Sequence, residues 1–354
     1  MDAPQRFPPT NMLRVMTAML AACTAVLLGV ALFQAERVFA PLAFALFIIA
    51  VTWPLQNFLQ NRMPRLIALA LTTTAIVVVI STFALLLAWA AGRVGRFVVS
   101  DVARLQALYG SMAAWLQSHG IEIAGIWSSY FNVDQLLRLA QEVTSRLNTA
   151  ISFLIVVFVY VLLGLLEVDD VRAKLRAWRH GNLGKVLLVG GSNGAARLQR
   201  YMLVRTQMSA ITGLLVWGFA WLAGLPLAFE WGVIAFALNF IPFIGPFIAT
   251  VFPTVFAVAQ FELWPMAIAI FACLNVIQFV VGSYLEPRFV GNALSISPII
   301  VLFSVFFWTF LWGIPGAFIG VPIVIAFLAL CEANPSTQWI VDLFGAPPNA
   351  PPQA

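Results

Sequence analysis

The sequence predicts an all-α, polytopic membrane protein with about seven to eight membrane-spanning or re-entrant helical segments and a small helical extramembrane insert. Three observations predict it. Of 354 residues, 62% are hydrophobic and only 9% are charged, whereas a water-facing domain carries about 25% charged residues. The mean hydropathy of +0.96 means that most of the surface faces something less polar than water, and lipid is the solvent that fits. Apolar runs close to the roughly 20 residues needed to cross a hydrocarbon core recur along the chain, with charges gathered in the breaks between them.

The first run, Val15 to Phe33, follows Arg6 and Arg14. It is longer than a signal-peptide core and no small-x-small cleavage site clearly follows, so it reads as a retained helix. Four spans are expected in the first half, at approximately 14–34, 39–60, 65–91 and 149–167, and the first three make residues 1–92 one unit. Arg62, Pro64 and Arg65 mark the break between the second and third. Over 93–148 charges of both signs appear, and Val133, Leu136, Leu137 and Ala140 recur at helical spacing. This stretch is the expected insert, with short helices on either side of Gly120–Gly125.

Residues 168–200 follow the fourth span as a basic loop, with Arg172, Lys174, Arg176, Arg179, Lys185, Arg197 and Arg200. Short loops rich in Lys and Arg stay in the cytoplasm. Counting spans from there puts both termini in the cytoplasm and 93–148 outside. Gly190-Gly191-Ser192-Asn193-Gly194 invites comparison with a phosphate cradle, but it lacks the Gly-Lys-Ser/Thr ending and reads as a plain turn.

Residues 201–332 are expected to hold the transport core. From Thr206 to Glu332 the charged residues are Glu230, Glu262, Glu286, Arg288 and Glu332. The apolar runs fall at about 202–225, 228–260, 263–285 and 296–331. The second and fourth are too long for one span and too short for two at about 20 residues each. Both are interrupted near the centre. One break is Asn239-Phe240-Ile241-Pro242-Phe243-Ile244-Gly245-Pro246, and the other is Leu311-Trp312-Gly313-Ile314-Pro315-Gly316. Proline removes a backbone donor and breaks a helix. Each interruption is either a tight turn at the membrane surface or the tip of a re-entrant hairpin. At membrane depth, irregular backbone survives only when buried in protein or lining a watery cavity. Such paired interruptions point to a transporter's binding site, which makes Asn239, Pro242, Gly245, Pro246, Gly313 and Gly316 candidate pathway residues.

Between the interruptions, Asn275, Gln278, Gly282 and Glu286 fall within one arc of a helix. Asn275 and Gln278 serve either interhelical hydrogen bonding or substrate contact. Glu286 and Arg288, two residues apart, are expected to form a gating or local ion pair, or to anchor the chain at the surface. Arg205 is expected to snorkel to the cytoplasmic interface. Residues 333–354 form a cytoplasmic tail expected to be disordered.

Other function classes find little support. The net charge of +5 is spread between apolar runs, with no basic stripe or stacking platform for nucleic acid. Cys23, Cys273 and Cys331 lack partners at ligand spacing and read as small buried hydrophobes, so neither metal nor disulfide is expected. His119 and His180 stand alone in polar stretches. No His-Glu-x-x-His, Gly-x-Ser-x-Gly or Cys-x-x-Cys pattern occurs, and no enzyme activity or cofactor is expected.

The interrupted segments carry a family likeness. Gly213, Gly224, Asn239-x-Ile241-Pro242-x-x-Gly245-Pro246, Leu285-Glu286-Pro287-Arg288-x-x-Gly291, Ser297-Pro298, Trp312-Gly313-x-x-Gly316 and Pro322 resemble the autoinducer-2 exporter family of bacterial membrane proteins. The resemblance implies a multi-pass, homo-oligomeric permease of the inner membrane that exports a small polar solute or signalling molecule. Members also described as sodium/proton antiporters leave a monovalent cation/proton antiporter as the alternative, with Glu286 its best acid. A non-transporting oligomeric scaffold is a third. Val281 stands where the resemblance leads one to expect an acidic residue, and this weakens proton coupling.

Overall fold

A computed structural model describes residues 9–100, 133–178, 183–261, 264–290 and 296–345. Most of the expected insert, Glu262 and Gly291 lie outside the described residues. The described chain is all helical, apart from a single bridge between Ile296 and Gly345. Among the described residues, six stretches are long and apolar enough to cross a membrane: Met12–Gln34, Glu36–Gln60, Arg65–Phe97, Ile151–Ala177, Pro265–Phe289 and Pro298–Glu332.

Three helices open the chain, α1 (Pro9–Gln34), α2 (Glu36–Gln60) and α3 (Arg65–Ser100). The α2–α3 turn falls at Arg62–Pro64, where proline cannot continue a helix. The next helix, α4, runs unbroken from Val133 to Ala177. Residues 133–148, expected within a separate insert, are therefore continuous with the fourth span, because the same helical period carries through the change from charged to apolar side chains. The Arg65 guanidinium donates to the Leu166 carbonyl and ties α3 to α4.

The fifth helix, α5, spans Leu183–Leu222. It absorbs much of the expected loop, and the expected turn at Gly190–Gly194 is helix. The reason is close packing. A Cβ on Gly190 would lie 2.9 Å from the Leu330 Cα, and one on Gly194 would lie 3.4 Å from the Ala329 Cβ. Glycine here lets two helices touch. α5 ends in a glycine cap: Leu225 N–H donates to Ala220 O, Gly224 N–H donates to Trp221 O, and Gly224 has φ +70.

The first interrupted run is a helical hairpin of α6 (Ala228–Leu238) and α7 (Ile244–Phe261). Its tip is Asn239–Phe243, with Phe243 at φ 62. Gly245 is needed there, because a Cβ would strike the Leu238 carbonyl. After α8 (Trp264–Phe279) comes a π-helical stretch, Val280–Leu285, and then α9 (Glu286–Val290).

The last long helix, α10 (Pro298–Glu332), breaks at Gly313, whose φ 63 and ψ −141 suit glycine. A Cβ on Gly316 would strike the Trp308 carbonyl, and one on Gly320 would lie 2.8 Å from the Ser304 carbonyl. In a straight helix, residues eight and sixteen apart are roughly 12 and 24 Å apart. The chain therefore reverses near Trp312–Gly313 and forms a second hairpin. Beyond it, Pro335–Thr337 and α11 (Gln338–Phe344) are helical, and Ser297 N–H donates to Phe344 O. The start of the expected disordered tail is thus ordered, through its contact with the base of the second hairpin.

Candidate functional site

The site is built on α5. Arg205, Ser209, Thr212 and Val216 recur at spacings of four, three and four, so they share one face. All four are buried. Two neighbours run antiparallel to α5 along this face, and each delivers polar groups to it.

The first is α6. A Cβ on Gly232 would lie 2.8 Å from the Gly213 carbonyl and 2.6 Å from the Trp217 Cβ, so the backbones touch. That approach brings the hairpin tip to the polar face. Asn239 Nδ2 donates to Ser209 Oγ at 3.1 Å, and both residues are buried. The second neighbour is α8 with its π-helical end. Val281 packs against Val204 and Met208, with Ile211 and Leu285 at the edges. The same register brings Glu286 to Arg205, Oε1 to Nη1 at 2.7 Å, with the side chains 25% and 6% exposed. It also sets Gln278 level with Thr212, since Gln278 precedes Val281 by one turn and Thr212 follows Met208 by one.

Buried polar atoms here lack a hydrogen-bond partner in the protein: Arg205 Nε, Thr212 Oγ1 and Gln278 Nε2. Buried polar groups are ordinarily paired. Nitrogen-bound protons of Arg205 and Gln278 and the Thr212 hydroxyl together present donors that call for oxygen acceptors.

The two hairpins meet beside this face. Phe240 of the first tip stacks on Phe318 of the second hairpin, with ring centroids 5.7 Å apart. Ile241 and Ile244 pack against the cluster that contains Leu311, Trp312 and Ala317. Pro242 lies within the first turn and Pro246 just beyond it, both half-buried, while Gly313 is exposed at the second. Gly245 and Gly316 are closing points of the hairpins, where a Cβ would strike the Leu238 and Trp308 carbonyls.

Other candidates sit elsewhere. Asn275 is exposed, and its Nδ2 donates to Phe271 O of its own helix at 2.8 Å. Glu286 and Arg288 do not pair with each other. Side chains two apart on a helix do not face one another, and the Arg288 guanidinium lies 4.0 Å from the Tyr284 ring centroid instead. Arg205 does not snorkel; it is buried because Glu286 meets it within the protein. Of the cysteines, Cys331 is buried while Cys23 and Cys273 are exposed. Among the described residues, no three His, Cys, Asp or Glu side chains gather as a metal site. An open cleft of about 400 Å³ against Val171, Lys174 and Trp178 borders none of the hairpin-tip residues.

Sequence reasoning missed the Ser209–Thr212 part of the stripe and the partner of Glu286. Polar residues at helical spacing within an apolar run were the available signal for the first. A second ion pair was also missed. Arg93 of α3 lies 2.9 Å from Glu230 of α6, whose side chain is 4% exposed.

Comparison with known proteins adds a family. The family model described as AI-2E family transporter matches residues 20–336. The chain is similar to the AI-2 transport protein TqsA of Escherichia coli K12, with 29% identity over 318 residues, covering 87% of this chain and 90% of TqsA. It is also similar to the putative transport protein YhhT of the same organism, with 29% identity over 190 residues and 54% of each chain covered. A putative transport protein of Borreliella burgdorferi is 31% identical over 147 residues, covering 41% of this chain and 39% of that relative.

Proposed function

We propose that this chain, which belongs to the AI-2E transporter family, passes its solute across the membrane along the buried polar face formed by Arg205 and Thr212 of α5 and Gln278 of α8, beside the tip of the α6–α7 hairpin. The observation that carries this reading is the set of buried, partnerless polar atoms on facing helices. An unmade buried hydrogen bond costs about 1–3 kcal/mol, and a solute rich in oxygen acceptors recovers that cost as it enters. TqsA is named for AI-2 transport, so AI-2 or a similar small, oxygen-rich signalling molecule is the solute class. Transport is outward across the bacterial inner membrane, with both termini and residues 168–200 in the cytoplasm. No catalytic step is assigned.

The hairpins are re-entrant in this reading. The 11 residues of α6 give a rod of about 16 Å, roughly half of a 30 Å hydrocarbon core. Its tip therefore ends within the membrane, where irregular backbone needs protein or water around it. The protein works as a homo-oligomer, which accounts for α1, whose apolar span has no buried residues within the protomer.

The test is AI-2 efflux from cells that lack the protein and are complemented with variants at matched membrane levels. Thr212→Val and Gln278→Leu should each lower efflux at least tenfold. Asn275→Leu, bonded within its own helix, should stay within twofold of the parent. Unchanged efflux in the first two overturns the site.

A further inference from the structure

Resting on the solute path proposed above, we infer that the ion pairs Arg93–Glu230 and Arg205–Glu286 are the two closures of that path, one on each side of the hairpin tip. Their placement follows from helix geometry. Along α6, Glu230 lies nine residues from Asn239, about 14 Å of helix. Along α5, Arg205 lies four residues beyond Ser209, which holds Asn239, or about 6 Å. The pairs therefore bracket the polar stripe from opposite ends, roughly 20 Å apart.

Each pair also joins separate walls. Arg93–Glu230 crosses from α3 to α6, and Arg205–Glu286 crosses from α5 to the start of α9, just past the π-helical stretch. Opening either wall breaks one pair and leaves the other in place.

Both closures are built to reopen. Arg93 Nη1 lies 2.9 Å from Glu230 Oε1, yet that oxygen receives no hydrogen bond. The contact is a charge pair without directed bonding. Arg93 is also half-exposed, and its guanidinium already lies 5.4 Å from the Trp89 ring centroid, a contact that can hold it when Glu230 lets go. On the other side, Glu286 directly follows the π-helical stretch Val280–Leu285. Such segments hold one extra residue per turn and recur at functional sites. Return of this turn to α-helix would rotate Glu286 by about 100° and carry it off Arg205. Arg205 would then present its full guanidinium to the solute path.

A thiol at position 212, between the closures, reports them without any transport measurement. Thr212→Cys is made in the full chain after Cys23, Cys273 and Cys331 are replaced by alanine. A membrane-impermeant thiosulfonate is then applied to sealed vesicles of each orientation. Glu230→Gln should raise the labelling rate at least tenfold from the Glu230 side and leave the other side unchanged. Glu286→Gln should do the mirror image. The charge swap Arg93→Glu with Glu230→Arg should restore protection to within threefold of the parent, and Arg93→Lys should retain it. Equal acceleration from both sides, no acceleration, or loss of protection in Arg93→Lys overturns the closures. A parent thiol that reacts freely from both sides also overturns them, while leaving the solute path intact. A thiol silent from both sides in every variant sinks the path and the closures together.

Discussion

Alanine at Gly190 and alanine at Gly191 should shift stability in opposite directions, although the two glycines are neighbours in one helix. Replacing glycine by alanine in a helix interior is worth roughly 0.5–1 kcal/mol through backbone entropy. Gly191 should show that gain, because nothing lies within 4 Å of its new Cβ. At Gly190 the Cβ would stand 2.9 Å from Leu330 Cα and from its Cδ2, and 3.1 Å from Ala329 O. Carbon atoms rest at about 3.5–4.0 Å, so α5 and α10 must part by roughly 0.6–1 Å. Overpacking of this kind costs about 1–3 kcal/mol. Gly190→Ala should therefore be less stable than Gly191→Ala by about 1–3 kcal/mol. For a chain of this size that gap is about 2–6 °C in melting midpoint, at roughly 2 °C per kcal/mol. Intrinsic tryptophan fluorescence of the detergent-solubilised protein during heating measures it. Equal midpoints, or a higher one for Gly190→Ala, would refute helix packing at this motif and return it to a turn.

Gly316→Ala should remove most of the protein from the monodisperse peak in size-exclusion chromatography, because its Cβ collides with the Trp308 carbonyl. Gly282→Ala, which meets open space, should leave that peak unchanged. Arg205→Met strands Glu286, and losing one partner of a buried pair costs about 3–5 kcal/mol. Since Glu286 is 25% exposed, the loss should fall at the lower end of that range, a drop of about 6 °C. Arg205→Met with Glu286→Leu should recover most of it in the same melt.

Fold class was legible because lipid contact imposes itself on composition, and no tertiary knowledge is needed to see it. The hairpins were legible for a related reason. A run too short for two spans and broken by Pro242 and Pro246, or by Gly313 and Pro315, has few places to put its break. Gly190–Gly194 was misread because glycine serves two opposed purposes. It frees the backbone in turns, and it clears space between helices, and local sequence does not distinguish them. The partner of Glu286 was hidden for a different reason. Periodicity gives the face of a helix, whereas Arg205 lies 81 residues away and its register comes from Val281 packing on Val204 and Met208.

The fastenings explain why the polar groups at the tip can be left unpaired. In lipid, helices gain nothing from hiding apolar surface from water, so they associate through close packing and polar contacts. This chain uses glycine against backbone carbonyl repeatedly: Gly213 with Gly232, Gly245 with Leu238, and Gly316 with Trp308. Those contacts close both hairpins and dock the first on α5 without calling on the side chains of Thr212 or Gln278. Had these polar groups been the glue, each would be matched within the protein and a solute would have to break a bond before making one. Because backbone contacts carry the close packing, Thr212 Oγ1 and Gln278 Nε2 keep their bonding capacity, and so does Arg205 Nε beside the Nη1 that pairs with Glu286. On the proposed path, that division of labour lets a solute bind and leave Thr212 and Gln278 without loosening the helix packing.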